Sequence, residues 1–316
     1  ILYHEQKMNY ITNSDTIIFN NEFNEELDVN LISPYKKLIF SDYEFNEKLF
    51  DYYRIEFHEN TFEYRLDYTS YGLNIIWNKF NQDISNLPFT LYHLILGRKF
   101  NRDVSRLPCG LTHLTFGHEF EQNVSNLPQS IIYLIFGACF NNDVSKLPHS
   151  ITHLEFGFHF NQDVSNLPQS LTHLVLNVRF NQDISKLPST IVYLILGHDF
   201  NQQYIIPLNI KRLILGCNNQ YVIDSLPNSI TDLTLNCFFN LKMDNLPTSI
   251  KKLAIHSVHS YDHDLNCLPN SIEKLKLNKS YNKRILNIPT NLKTLICHKD
   301  YAYKDDFVMY DIKTFS

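Results

Sequence analysis

Apolar residues recur along this chain with a period of 20. Phe80, Phe100, Phe120, Phe140, Phe160, Phe180 and Phe200 mark it without a slip, and the unit beginning at Phe80 reads FNQDISNLPFTLYHLILGRK. With that Phe as repeat position 1, Leu-Pro falls at positions 8 and 9, and apolar residues fill 12, 15 and 17. Eleven of the 12 prolines sit at position 9, Pro34 being the exception, so the repeat governs the fold. Positions 15 and 17 are two apart and share one face of a short strand. Position 12 enters the core from the preceding turn. The aromatic at 1, the β-branched residue at 5 and the Leu at 8 point inward from the return segment, which its proline keeps extended rather than helical. Glycines at position 18 (97, 117, 137, 157, 197 and 216) are expected to release each strand into a turn.

The array divides by regularity. Residues 1–16 are expected as an N-terminal cap, and 17–79 as degenerate repeats that include Phe23-Asn24 and Phe45-Asn46, with an irregular insertion near 47–72. Residues 80–206 hold the regular repeats. Residues 207–301 diverge: Asn219 replaces the Phe, and Tyr261, Tyr281 and Tyr301 then take the aromatic position. Residues 302–316 are expected as the C-terminal cap. A unit of 20 residues is too small to bury its own apolar face, so stacking must bury it, in about 12–14 coils. Asn at position 2 reads as a ladder bonding adjacent backbones. Asp83, Asp103, Asp143, Asp163 and Asp183 at position 4 read as caps of their turns.

The core L-x-x-L-x-L resembles the leucine-rich repeat, and the fuller pattern F-N-x-x-V-x-x-L-P-x-S-I-x-x-L-x-F-G resembles the FNIP repeat of social amoebae and giant amoebal viruses. That resemblance implies a mainly β repeat solenoid, a right-handed, leucine-rich-repeat-like superhelix with a parallel sheet on one face and extended or turn segments on the other. It also implies protein–protein interaction, often beside an N-terminal F-box. Residues 1–50 show no F-box pattern, so a substrate-recognition arm of a ubiquitin ligase would need its F-box elsewhere.

If positions 15 and 17 point inward, 14 and 16 face outward on the sheet. Position 14 reads His93, His113, Tyr133, His153, His173, Tyr193, then Arg212, Asp232, Lys252, Lys274 and Thr294. Its middle, with position 16, gives the candidate partner-binding residues His113, Tyr133, Ile135, His153, His173, Val175, Tyr193 and Ile195, aromatic-rich and charge-poor as interface centres are. Cross-strand packing of the same rings is the competing reading. Self-association, as a structural or virion-associated tile, is another. The His column also offers pH-dependent adhesion near pH 6. Paired His without a third ligand make no zinc site, so no metal and no cofactor is expected.

Composition narrows the rest. Three Ala against 23 Phe and 19 Tyr disfavour a helical protein. Net charge −5 with pI near 6.3 argues against a nucleic-acid partner, and no apolar run is long enough for membrane insertion. The charge is polarised, net −7 over 1–79, −2 over 80–206 and +4 over 207–316. No nucleotide-binding, hydrolase or metalloprotease motif occurs, so no enzyme is expected. Six Cys without a CxxC read as reduced thiols in a reducing compartment, Cys217 and Cys237 included; with the resemblance above, the expected location is the host cytoplasm, virion association being the alternative.

Overall fold

Leu at position 15 is the anchor of every coil. Leu94, Leu114, Leu134, Leu154, Leu174 and Leu194 are all buried, as are the residues at positions 12 and 17 around them. Alternation brings each coil's inward side chains onto one side of a short strand, and the return segment closes over them with Phe at position 1. In three coils the position-17 Phe stacks on the position-1 Phe that opens the next unit: Phe116 on Phe120, Phe136 on Phe140 and Phe156 on Phe160, at 3.6–3.9 Å between ring centroids. Stacking the coils joins these groups into one continuous core.

The computed structural model of the chain describes residues 10–20, 23–40, 79–237, 239–257 and 261–315. Among these residues one sheet of 15 strands forms, in sequence order. It opens with β1 (Tyr10–Asn13), β2 (Thr16–Phe19) and β3 (Lys37–Phe40). The regular array supplies β4 (His93–Ile95), β5 (His113–Thr115), β6 (Tyr133–Ile135), β7 (His153–Glu155), β8 (His173–Leu176) and β9 (Tyr193–Leu196). The divergent array supplies β10 (Arg212–Leu215), β11 (Asp232–Cys237), β12 (Lys252–Ser257), β13 (Lys274–Lys276) and β14 (Thr294–His298). β15 (Asp311–Phe315) pairs parallel with β14, so the segment expected as a C-terminal cap adds a further strand. From β2 onward all pairings are parallel. β1 departs from the parallel expectation: it folds back on β2 as an antiparallel hairpin.

β3 pairs directly with β4 although 52 residues separate Phe40 from His93. The Asn ladder makes the same jump, since the Asn81 amide donates to Asn24 Oδ1 at 2.9 Å. The rung beside Phe23-Asn24 is therefore Phe80-Asn81. Phe45-Asn46 and the insertion expected at 47–72 lie outside the described residues. Beyond Asn81 the ladder continues, with Asn101, Asn161, Asn181 and Asn201 amides each donating to the Asn one coil back at 2.8–2.9 Å. Asp83, Asp103, Asp143 and Asp163 accept from the amide and hydroxyl of the Ser two residues on, closing the corner.

Two sequence expectations change in detail. A Cβ on Gly117, Gly137 or Gly157 would overlap the carbonyl of the glycine one coil back. Close approach between coils, rather than a special turn conformation, therefore requires the glycine column. Strand length does not follow this column: β8, with Asn177 there, spans four residues, as do β9 and β10 with glycine there, whereas β11 and β12, with Asn236 and His256, reach six. The unit in which Asn219 replaces the Phe also departs from extended backbone. Its return segment forms a helical turn, α1 (Gln220–Asp224), capped by Asn219 and filling the core with Val222 and Ile223.

Candidate functional site: the inner face of the sheet

Spacing between equivalent rings gives the curvature. Along position 14, successive rings from His93 to Tyr193 lie 4.1–5.4 Å apart. Across the sheet at position 17, Phe116, Phe136 and Phe156 are 5.4–5.5 Å apart. On the return side, the position-1 Phe rings from Phe80 to Phe200 are 6.1–6.3 Å apart. Separation widens steadily from the outer face of the sheet to the opposite wall, so the stack bends with the sheet on its inner side. The position-14 and position-16 side chains line that concave surface.

The eight candidate residues fall together there, but not equally exposed. His113, Tyr133, Ile135, His153, His173 and Ile195 are half-buried, whereas Val175 and Tyr193 are buried, at 5% and 4% exposure. The Arg212 guanidinium lies 5.2 Å over the Tyr193 ring and covers it. The rings pack on each other face to face, His113 on Tyr133 at 4.5 Å, Tyr133 on His153 at 4.3 Å and His153 on His173 at 4.1 Å. Cross-strand packing thus accounts for the ring faces. A shallow hollow remains over β6–β9, lined by Ile135, Glu155, Val175 and these rings.

Three of the four histidines in the stripe, His113, His153 and His173, are held by the threonine before them. Thr112 Oγ1 donates to the Tyr92 carbonyl at 3.0 Å, so its 2.8 Å contact with His113 Nδ1 requires the proton on the ring nitrogen. Thr172 does the same between the Thr152 carbonyl, at 3.1 Å, and His173 Nδ1, at 2.9 Å. Thr152 contacts His153 Nδ1 at 2.8 Å. The recurring Thr-His dipeptide was the sequence signal for this device. Burial, then the proximity of His113, lowers His93 to about 4. Burial, then His173, lowers His153 to about 4. Burial lowers His113 and His173 too. The stripe is therefore neutral at pH 7, and adhesion switching near pH 6 gives way to titration at lower pH. Among the described residues, no three His, Cys, Asp or Glu come together as metal ligands. Cys217 is a buried free thiol whose pKa burial raises to about 11, and the Cys237 side chain lies outside the described residues.

The face changes character at β10. Positions 13, 14 and 16 of the β4–β9 coils carry one acidic residue, Glu155, and no Lys or Arg. The same positions over β10–β14 carry seven basic residues (Lys211, Arg212, Lys251, Lys252, Lys274, Lys276 and Lys293) and two acidic ones, Asp232 and Glu273, a net of +5. Lys252 pairs with Asp232 at 3.1 Å, and Glu273 pairs with Lys293 at 2.6 Å and Lys251 at 3.7 Å. The remaining cations are in excess. Position 13, which supplies Lys211, Lys251 and Lys293, was absent from the columns considered from sequence.

This construction, a leucine-rich-repeat-type solenoid with its parallel sheet on the concave side, has counterparts among known proteins. The FNIP Repeat family profile matches residues 103–139, 122–159, 160–199, 200–238, 239–280 and 261–300, more than half of the chain. The chain belongs to the FNIP repeat family. Among solved structures it resembles CroV588, a giant-virus protein described as a novel circular LRR protein, with 26% identity and a TM-score of 0.58. The alignment covers 92% of this chain and 51% of CroV588, so the chain spans about half the length of that protein. Matches to the leucine-rich repeat-containing protein LegL7 from Legionella pneumophila are weaker, at 16% identity, TM-score 0.36, and coverage of 61% of this chain and 76% of that one. YopM from Yersinia enterocolitica gives 18%, 0.35, 67% and 56% in the same order. No curated protein matches the sequence. Among the described residues, no helix is long and apolar enough to cross a membrane.

Proposed function

We propose that this chain is a non-catalytic protein-interaction module that engages a protein partner through the inner face of its sheet. The observation that carries the reading is the stripe on β4–β9, which has no Lys or Arg and a single carboxylate, Glu155, with the hollow over Ile135 and Val175 at its centre. Side chains held on a rigid sheet lose little further entropy on docking, so a few of them can dominate affinity. The half-exposed members, Tyr133, Ile135 and Ile195, are the contact residues. Tyr193 and Val175 form the floor. The test is capture of a binding protein from a cell lysate by the intact chain, repeated with Ile135→Arg on the face and Lys146→Glu on the exposed return side. Loss with Ile135→Arg alone supports the face. Loss with Lys146→Glu alone contradicts it.

Self-association is the second reading. CroV588 is described as circular and a solenoid of this type can stack end to end on another copy, which is what motivates it. Light scattering on the purified chain distinguishes the two readings, because a monomer at micromolar concentration removes the second.

A further inference from the structure

We infer that the inner face takes an extended, acid-tailed segment of its partner, with apolar residues over β6–β9 and carboxylates over β10–β14. The inference rests on the sheet-face reading above and adds the chemistry and layout of the bound segment. Its basis is the abrupt change along one continuous concave surface. The β4–β9 half has no Lys or Arg on its outward and rim positions, while the β10–β14 half has a net of +5. Opposite charge in the partner is what such a surface selects and orients. The two most available cations are Lys211 and Lys274, both exposed, and among the described residues neither has a carboxylate within 4.0 Å.

Geometry sets the length of the segment. From β8 to β12 are four inter-strand steps, about 19 Å at roughly 4.8 Å each, which an extended chain crosses in about six residues. The expected motif is therefore an aromatic or aliphatic cluster separated by about six residues from two or more Asp or Glu, in one chain direction. A nucleic-acid strand would also meet the cations, but it needs free ring faces on which to stack its bases. Here the rings at position 14 are stacked on one another at 4.1–4.5 Å over β5–β8. The chain as a whole is also acidic, at net −5. An acidic peptide satisfies both halves of the face.

The test is selection of a random dodecamer display library on the intact chain, followed by fluorescence anisotropy with the enriched peptides. Three variants accompany it: Lys211→Glu/Lys274→Glu, Ile135→Arg and the return-side control Lys146→Glu, each checked for an unchanged thermal melt. The expected result is enrichment of the apolar–spacer–acidic pattern. Affinity for such peptides should fall about tenfold in Lys211→Glu/Lys274→Glu and on raising salt from 50 to 500 mM. It should be lost in Ile135→Arg and unchanged in Lys146→Glu. Enriched peptides with no acidic bias, sensitive only to Ile135→Arg, overturn the acid-tail proposal while leaving the sheet-face reading standing. Peptides insensitive to Ile135→Arg overturn both. Tighter binding of a 20-nucleotide oligothymidylate than of any enriched peptide, or no enrichment at all, also overturns the proposal.

Discussion

The coils of β4–β9 and those of β10–β14 share one core and carry different faces. Inward positions are interchangeable between the halves: Leu154 and Leu253, both at position 15, are 2% and 1% exposed. What varies is the outward column, stacked neutral rings in one half and excess Lys in the other. A repeat whose core is fixed by stacking leaves its exposed positions free to differ, which is how one scaffold presents two chemistries side by side. The wall opposite the sheet changes as well. Phe fills it from Phe80 to Phe200, whereas Tyr261 and Tyr301 each carry a hydroxyl that donates to a carbonyl one coil back, at 2.9 Å.

If the core is common to both halves, deleting it should cost the same in either. Leu154→Ala and Leu253→Ala should each destabilise by about 2–5 kcal/mol in denaturant unfolding, since both remove a fully packed side chain. Thr152→Ala, at the edge of the face, should cost about 1 kcal/mol or less. A large difference between the two Leu variants would break the equivalence.

The glycine column should separate the halves. Gly137→Ala forces a Cβ into the Gly117 carbonyl and should cost about 3 kcal/mol, whereas at Gly216 the nearest atom is 3.4 Å away and Ala should be nearly neutral. Equal thermal shifts for the two variants would contradict close coil-on-coil approach as the reason for glycine.

Acid should also act unevenly. His93 sits at about 4 in the folded chain against 6.5 for the free side chain, so the fold favours its neutral form. Its contribution is complete above pH 6.5 and is lost as pH falls through that window toward 4, worth about 3 kcal/mol at roughly 1.4 kcal/mol per unit. His153, half-exposed, adds less once solvent screening is counted. Hydrogen exchange between pH 6.5 and 4 should therefore show β4–β8 loosening before β10–β14, and His93→Phe should reduce that difference.

The smallest effect belongs to the opposite wall. Tyr261→Phe removes one hydrogen bond to the Leu241 carbonyl and should cost about 1 kcal/mol, read as a small drop in the melting temperature.

The core was legible from the sequence because its period is unbroken and each position has one role. Positions 1, 5, 12, 15 and 17 through the regular array are buried as their spacing requires. The candidate face was legible as a set of columns but not in its depth. The Arg212 guanidinium, contributed by the next strand and lying over the ring, is what covers Tyr193. The cause of the glycines was hidden for a similar reason: it lies between coils and not within one. The helical turn at Gln220–Asp224 was signalled only by Asn219, a good helix cap standing where the repeat calls for Phe. The pairing of β3 with β4 across 52 residues is long-range, and no local pattern encodes it.

The central claim is that function resides on the inner face of the sheet. Hydroxyl-radical footprinting of the intact chain, with and without a captured protein partner, tests it most directly. The account predicts protection at Tyr133, Ile135 and Ile195, together with Lys211 and Lys274, and none along the Asp-Ser and Leu-Pro corners. Protection confined to those corners, with Tyr133 and Ile135 as reactive as in the free chain, would contradict it.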